Sequence, residues 1–251
     1  MKKIIILVVL GAATIFANAQ TTRYVVVGGA GNEDGSSWTD ASGDLQDMIN
    51  QSDSGDVIWV AAGRYKPKRQ ADNLSNIDTL HRDNAFVLKK GVKIYGGFAG
   101  NETRLAQRNW TTNVTELYGL FRKPNTIYAY HIVVSVGDVG DACLDGFTIT
   151  QSKNETSDMT KIMVDGVSVC RGYGGGIALY NSSPLLANLT IMYNNSIEGG
   201  GLYLNNSNPV IVNTLICHNY GYNNGGGIKC VNSTPSVINA KQFITENHES
   251  R

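Results

Sequence analysis

Along the C-terminal third of the chain, apolar residues alternate with polar ones, and the alternation comes in three near-copies. Each copy opens with three glycines and an aliphatic residue: Gly174-Gly175-Gly176-Ile177, Gly199-Gly200-Gly201-Leu202 and Gly225-Gly226-Gly227-Ile228. Each then runs through a polar turn to a proline (Pro184, Pro209, Pro235) and an asparagine four residues on (Asn188, Asn213, Asn239). The apolar columns are Ile177/Leu202/Ile228, Leu179/Leu204/Cys230, Leu186/Ile211/Val237 and Ile191/Ile216. Within a copy they recur every second residue, which is the period of a strand. A helical period does not survive the prolines and glycine triplets. By subtraction the prolines lie 25 and 26 residues apart (209 − 184, 235 − 209). A fixed period of this length means units that bury their apolar side only by stacking on one another. Like columns over like columns predict a single-stranded right-handed parallel β-helix, an all-β solenoid. The stacked asparagines would bond along its axis.

Upstream the pattern predicts strands at 24–27, 57–60, 86–88, 92–98, 117–118, 132–136, 144–150 and 167–169, with Phe147 and Ile149 pointing inward. One helix is predicted, over 42–51, capped by Ser42 or Asp44, with Leu45, Met48 and Ile49 on one face. It reads as the N-terminal cap that an open sheet edge requires. Three polar stretches lack periodicity: 66–83, 101–115 and 151–165. As excursions from a solenoid they are expected to gather on one face and build the ligand surface.

Lys2 and Lys3, an apolar run over 4–16, and Ala17-Asn18-Ala19 make residues 1–19 a signal peptide, with cleavage before Gln20. The mature region 20–251 then forms one domain, with the cap and first coil over 20–65 and the three repeats over 174–247. No later segment is apolar for long enough to span a membrane. Lys plus Arg equals Asp plus Glu, at 21 each, so the charge balance does not call for nucleic acid. The expected location is secreted, or on the cell surface or outer membrane.

The glycine tetrapeptides with their downstream asparagine resemble the polymorphic outer-membrane protein repeat, whose motifs are GGA[ILV] and FxxN. This chain carries GGG in place of GGA. Its FxxN equivalents are Ile191-Met192-Tyr193-Asn194, Ile216-Cys217-His218-Asn219 and the longer Phe243-Ile244-Thr245-Glu246-Asn247. Gly35-Ser36-Ser37-Trp38, Asp44-Leu45-Gln46, the stretch 55–65 and the stretch 91–98 are similar to the opening of secreted Gram-negative β-helices of the pectin-lyase-like type. The resemblance implies the same fold and an exported protein.

Candidate chemistry is sparse. Asp141, Asp145 and Asp165, with Arg171 as a base, are the residues a lyase could use. The chain has no adjacent Asp pair, and beyond Gly166 its acids are Glu198, Glu246 and Glu249. The four histidines are scattered and read as surface groups. Tyr173, Tyr193, Tyr220 and Tyr222 fall at turns of successive coils and could stack on sugar rings. No cofactor is expected. The loop 28–35 approaches the calcium nonapeptide, with Glu33 where Asp is wanted, and reads as a turn with calcium as the alternative. Cys230 is expected to point inward and Cys217 outward or into a turn; Cys143 and Cys170 are the pair that could form a disulfide.

Together these readings imply an exported, non-enzymatic β-helix of adhesin or glycan-binding type, with a polysaccharide or a host or cell-surface glycan as partner. Two alternatives stand beside it. One is a polysaccharide lyase or hydrolase on the same fold. The other is a truncated relative of a longer surface protein, whose C-terminal coil stacks on another chain or a missing domain.

Overall fold

The computed structural model describes residues 20–122, 126–154, 158–243 and 246–247. The signal-peptide assignment, 1–19, lies outside them. The chain is an all-β parallel β-helix. Each complete turn contributes one strand to each of three parallel sheets, which hold seven, six and five strands because the first and last turns are partial among the described residues. The first sheet stacks Thr22–Val25, Val57–Ala61, Lys93–Phe98, Cys143–Asp145, Leu185–Ala187, Val210–Val212 and Ser236–Ile238. The second stacks Gly63–Tyr65, Thr115–Tyr118, Thr148–Thr150, Thr190–Met192, Leu215–Cys217 and Lys241–Phe243. The third stacks Phe86–Val87, Val133–Val136, Ile177–Tyr180, Leu202–Asn205 and Ile228–Val231. A short fourth ladder of Asn195–Glu198, Tyr220–Asn224 and Glu246–Asn247 runs beside the glycine triplets.

The predicted columns are the rungs. Leu144, Leu186 and Ile211 stand in register in the first sheet, Ile149, Ile191 and Ile216 in the second, and Ile177 and Leu202 in the third. All belong to one buried core. The columns fail only on the last rung. Val237 is 52% exposed and Cys230 is exposed, because no further rung covers them among the described residues.

The glycine triplets have a steric reason. The first glycine takes a positive φ (Gly174 +82°, Gly199 +62°), and the third lies against the next coil. A Cβ on Gly176 or Gly201 would stand 2.6 or 2.5 Å from the carbonyl oxygen of Gly201 or Gly227, which no real side chain tolerates. Asparagine takes over at the left-handed turns it can adopt, at Asn188, Asn213 and Asn239. A second, buried asparagine ladder closes the opposite margin of the second sheet. Asn194 Nδ2 donates to Ile149 O (2.9 Å), its Oδ1 accepts from Ser152 N (3.2 Å), and its own N–H donates to Asn219 Oδ1 (3.0 Å). A serine ladder, Ser135, Ser182, Ser207 and Ser233, closes the turn after the third sheet.

The helix is shorter than its pattern predicts, Leu45–Gln51, with Asp44 as N-cap. Ser42 is taken up in a bridge to Val25 instead. Leu45, Met48 and Ile49 plug the core, as expected of a cap. Gln46 does more: its amide accepts from Val87 N (2.8 Å) and donates to Val87 O (3.3 Å), replacing the strand that the third-sheet edge lacks. Among the described residues no helix is long and apolar enough to cross a membrane.

The excursions depart from the expected arrangement. Stretch 66–83 contains the hairpin Arg69–Gln70/Asn73–Ile77, and stretch 151–165 leads into the hairpin Lys161–Val164/Val167–Cys170. Both leave between the second and third sheets, as does an unpredicted hairpin, Leu120–Arg122/Ile127–Tyr128. Stretch 101–115 leaves between the first and second sheets, so the three predicted excursions do not share a face. Two of them meet at a hollow of 520 Å³, which Leu74 and Asp165 help to line, but their apolar side chains are turned inward. Ala71, Ile162, Val164 and Val169 fold back on Val134, Val136, Ala178, Tyr180 and Tyr203, burying the outer side of the third sheet in a second apolar cluster.

The cysteines are free, so the Cys143–Cys170 bridge is not formed. Cys143 lies in the first sheet and Cys170 on the hairpin over the third. Cys230 stands in the inward column beside Leu204, as expected, and is exposed because it lies on the last rung of the third sheet among the described residues; Cys217, next to inward Ile216, is nonetheless buried. Burial pushes the Cys143 thiol up to about 12.

Two outcomes follow. A thiol reagent applied to the native protein should label Cys230 first, while Cys143, Cys170 and Cys217 react only on unfolding, as read by peptide mass spectrometry. Asn194→Ala strands Ile149 O and Ser152 N in a site where Asn194 is 1% exposed, at a cost of about 2–4 kcal/mol in urea unfolding. The solvent-facing Asn213→Ala should cost about 1 kcal/mol.

Candidate functional site

The residues singled out for catalysis are kept apart. Asp141 pairs with Lys93 (2.8 Å), whose hydrogen bond holds its carboxyl below the usual range. Asp145 pairs with Arg108 (2.7 Å) and accepts from Asn188 Nδ2 (2.7 Å). Asp165 sits at a positive-φ turn of the hairpin over the third sheet. Arg171 grips the buried Asp83 with two bonds, Nε to Oδ1 (2.7 Å) and Nη2 to Oδ2 (2.6 Å), and gives a third to Thr160 Oγ1 (2.5 Å). Asp83 raises the pKa of the Arg171 guanidinium still further, the opposite of what a base needs. Among the described residues no three His, Cys, Asp or Glu side chains gather as a metal site. The loop 28–35 folds on protein partners: Asn32 N donates to Asp40 Oδ1 (3.0 Å) and Glu33 N to Ala30 O (2.9 Å).

The four tyrosines do not form one ladder. Tyr173 stacks on Tyr203 (4.8 Å), next to Tyr180. Tyr193 stacks on His218 (5.1 Å), one rung up in its own column. Tyr220 stands over Asn195 and meets Tyr222 edge-on (5.0 Å). His131, expected at the surface, is buried, with Nδ1 2.8 Å from Gly174 O, and burial lowers its pKa.

A group of side chains that the sequence reading passed over does converge. Gly63–Tyr65 turns Tyr65 into the core, so Arg64 and Lys66 face out on alternate positions. On the next rung Glu116 and Tyr118 flank inward Leu117. The Arg64 guanidinium lies 3.9 Å over the Tyr118 ring, and its Nε donates to Glu116 Oε2 (2.7 Å). Lys66 Nζ is 6.0 Å from the same ring and donates to Phe121 O (3.0 Å). Exposed Arg122, on the hairpin that leaves after Tyr118, closes the far side. The result is an open cleft of 260 Å³ lined by Arg64, Lys66, Tyr118, Leu120, Phe121 and Arg122. Arg64 and Lys66 also line an adjoining hollow of 200 Å³ that adds Lys68. The motif recurs along this corner: Arg82 lies 4.1 Å over Tyr130, and Lys153 5.7 Å from Tyr128.

Cations resting on tyrosine faces are held in place, here also by bonds to protein: Arg64 to Glu116, Lys66 to Phe121 O, and Arg82 to the carbonyls of Tyr128 and Lys153. Glu116 raises the Arg64 pKa, fixing its charge. The carboxylate nearest the cleft is therefore committed to Arg64. The arrangement can bind an anionic group and pack sugar against ring edges. The sequence signal was the run Lys66-Pro67-Lys68-Arg69, with Arg64 two positions before Lys66 on one strand face.

No family model and no curated protein matches this chain. Among solved structures it is similar to the crystal structure of pectate lyase Pel9A, with a TM-score of 0.56 and 13% identity. The match covers 89% of this chain and 48% of that one, so the chain spans about half the length of its solved neighbour. At this identity the likeness is one of fold.

Because Asp83 is buried to 3% of its side-chain surface, Arg171→Ala would leave an uncompensated carboxylate. It should lower stability by about 3–5 kcal/mol in urea unfolding. Asp83→Asn should cost less, since the amide still accepts one bond.

Proposed function

We propose that the chain is an exported, non-catalytic module that binds an acidic polysaccharide through the cation–tyrosine cleft on the second sheet. The observation that carries this reading is the set Arg64, Lys66 and Arg122 around Tyr118, with the nearest carboxylate tied to Arg64. The whole chain is electroneutral, so attraction for a polyanion is local to this corner and falls with salt. The solved neighbour's name brings in pectate as the ligand class to try first. The glycine repeats, similar to those of polymorphic outer-membrane proteins, favour a cell-surface or secreted setting.

A lyase is the second reading, favoured by that neighbour's fold. It would need a group in the cleft that gives up its proton near neutral pH, and Glu116 holds Arg64 as a cation. The four acidic and basic residues picked out for such chemistry lie in separate ion pairs and turns.

The test is retention of the purified protein on immobilised polygalacturonate, with ultraviolet detection of unsaturated products in the eluate. The expected result is retention at low ionic strength, release as salt rises, no product, and a drop of at least tenfold in affinity for the Arg64→Gln/Lys66→Gln double variant, with its native fold checked by circular dichroism. Product formation would replace the binding reading with the lyase one. Retention that ignores the double variant would remove the cleft from the account.

A further inference from the structure

A second groove runs along the other margin of the second sheet, at the corner where the first sheet turns into it. Its volume is 390 Å³, and Trp110, Asn188, Asn213, Asn239, Thr190 and Lys241 are among the residues that line it. We propose that this groove binds an uncharged, linear glycan lying parallel to the solenoid axis. The inference does not rest on the acidic-polysaccharide reading.

The groove wall is a hydrogen-bonded chain with a fixed sense. Asn239 Nδ2 donates to Asn213 Oδ1 (3.3 Å), Asn213 Nδ2 to Asn188 Oδ1 (2.7 Å), and Asn188 Nδ2 to Asp145 Oδ1 (2.7 Å). Asp145 can only accept, so every amide above it is oriented one way. Its other oxygen takes Arg108 Nη2 (2.7 Å), which cancels its charge out of solvent. Each amide in the ladder keeps one N–H and one oxygen lone pair beyond those used along the axis. The corner therefore presents a donor and an acceptor on every rung, at the ~4.8 Å spacing of paired strands. That repeat is close to the width of a sugar ring, and paired donors and acceptors are what sugar hydroxyls satisfy.

The rest of the groove suits the same ligand. Trp110 is half-buried and held by the Arg108 guanidinium, 4.8 Å over its ring, so the indole is a rigid platform at the head of the ladder. Thr148 and Thr190 add hydroxyls, and Phe147, Leu189 and Leu215 an apolar floor. Lys241, at the far end, is the one titratable side chain in the lining. A polyanion finds a single cation here, in contrast to the cleft with Arg64 and Lys66. A neutral chain finds stacking and a periodic set of hydrogen bonds.

The experiment titrates the protein with hexasaccharides of neutral β-1,4-glucan, mannan and xylan, following tryptophan emission and heat, at low salt and in 1 M sodium chloride. At least one neutral hexasaccharide should bind with saturable heat, shift the emission and keep its affinity within twofold in high salt. Trp110→Ala should weaken it at least tenfold. Thr190→Tyr, which fills the groove from an outward strand position without touching the ladder, should do the same while keeping the native melting midpoint. Absence of saturable binding by all three sugars overturns the proposal, as does binding that survives both variants. A polygalacturonate arm on the same samples reads the cation–tyrosine cleft separately, so either site can fail alone.

Discussion

Everything in this molecule depends on one coil lying on the next in register. Outside its hairpins a single coil pairs no strand within itself, so the backbone groups of its sheet strands and its inward side chains are satisfied by the coils above and below. That constraint fixes the rungs Leu144–Leu186–Ile211 and Ile149–Ile191–Ile216. It also dictates the glycines, since Gly176 and Gly201 sit where the neighbouring backbone leaves no room for a Cβ. It explains why turns are built from asparagine and serine, whose side chains carry the pairing across corners where the backbone cannot. The ends are the consequence: the helix and Gln46 finish one end, and at the other Cys230 and Val237 are exposed on the last rung among the described residues.

Function is left to the outward positions, which stacking does not constrain. On the third sheet those positions are apolar and lie under two hairpins, so that face is spent on stability. On the second sheet they are mixed: Arg64, Glu116, Thr148 and Thr190 are polar and at least partly exposed, Met192 and Leu215 are apolar, and Thr150 and Cys217 are buried. One margin carries cations resting on tyrosines, the other an ordered amide ladder headed by Trp110. The same sheet therefore offers two chemistries at opposite margins. Among the described residues no three His, Cys, Asp or Glu side chains gather at either margin as a metal site. Of the candidate carboxylates, Asp141 and Asp145 are bound to Lys93 and Arg108, and the candidate base Arg171 is bound to Asp83.

The core was legible because stacking writes it into the sequence as a period of two inside a period of about 25. Ile177, Leu186 and Ile191 could be placed from that alone. The cap was legible in its apolar face, but not its length, since Ser42 follows a strand bridge that no local pattern announces. The hairpins were not legible, because a short antiparallel pair packed on a sheet's outer side needs no long apolar run. The cation–tyrosine cleft escaped for a different reason. Arg64 and Tyr118 are 54 residues apart in sequence and meet only because their strands are neighbouring rungs. The tyrosine ladder failed through the same geometry: Tyr173, Tyr193 and Tyr220 occupy three different columns, although their spacing is near that of a coil.

Hydrogen–deuterium exchange of the protein with and without oligogalacturonate tests the central claim most directly, because it maps the occupied surface without altering a residue. The account predicts slowed exchange in peptides that carry Arg64–Lys66 and Tyr118–Arg122, with the sugar recovered intact. Slowed exchange confined to the hairpins over the third sheet, or recovery of shortened sugar, would contradict it.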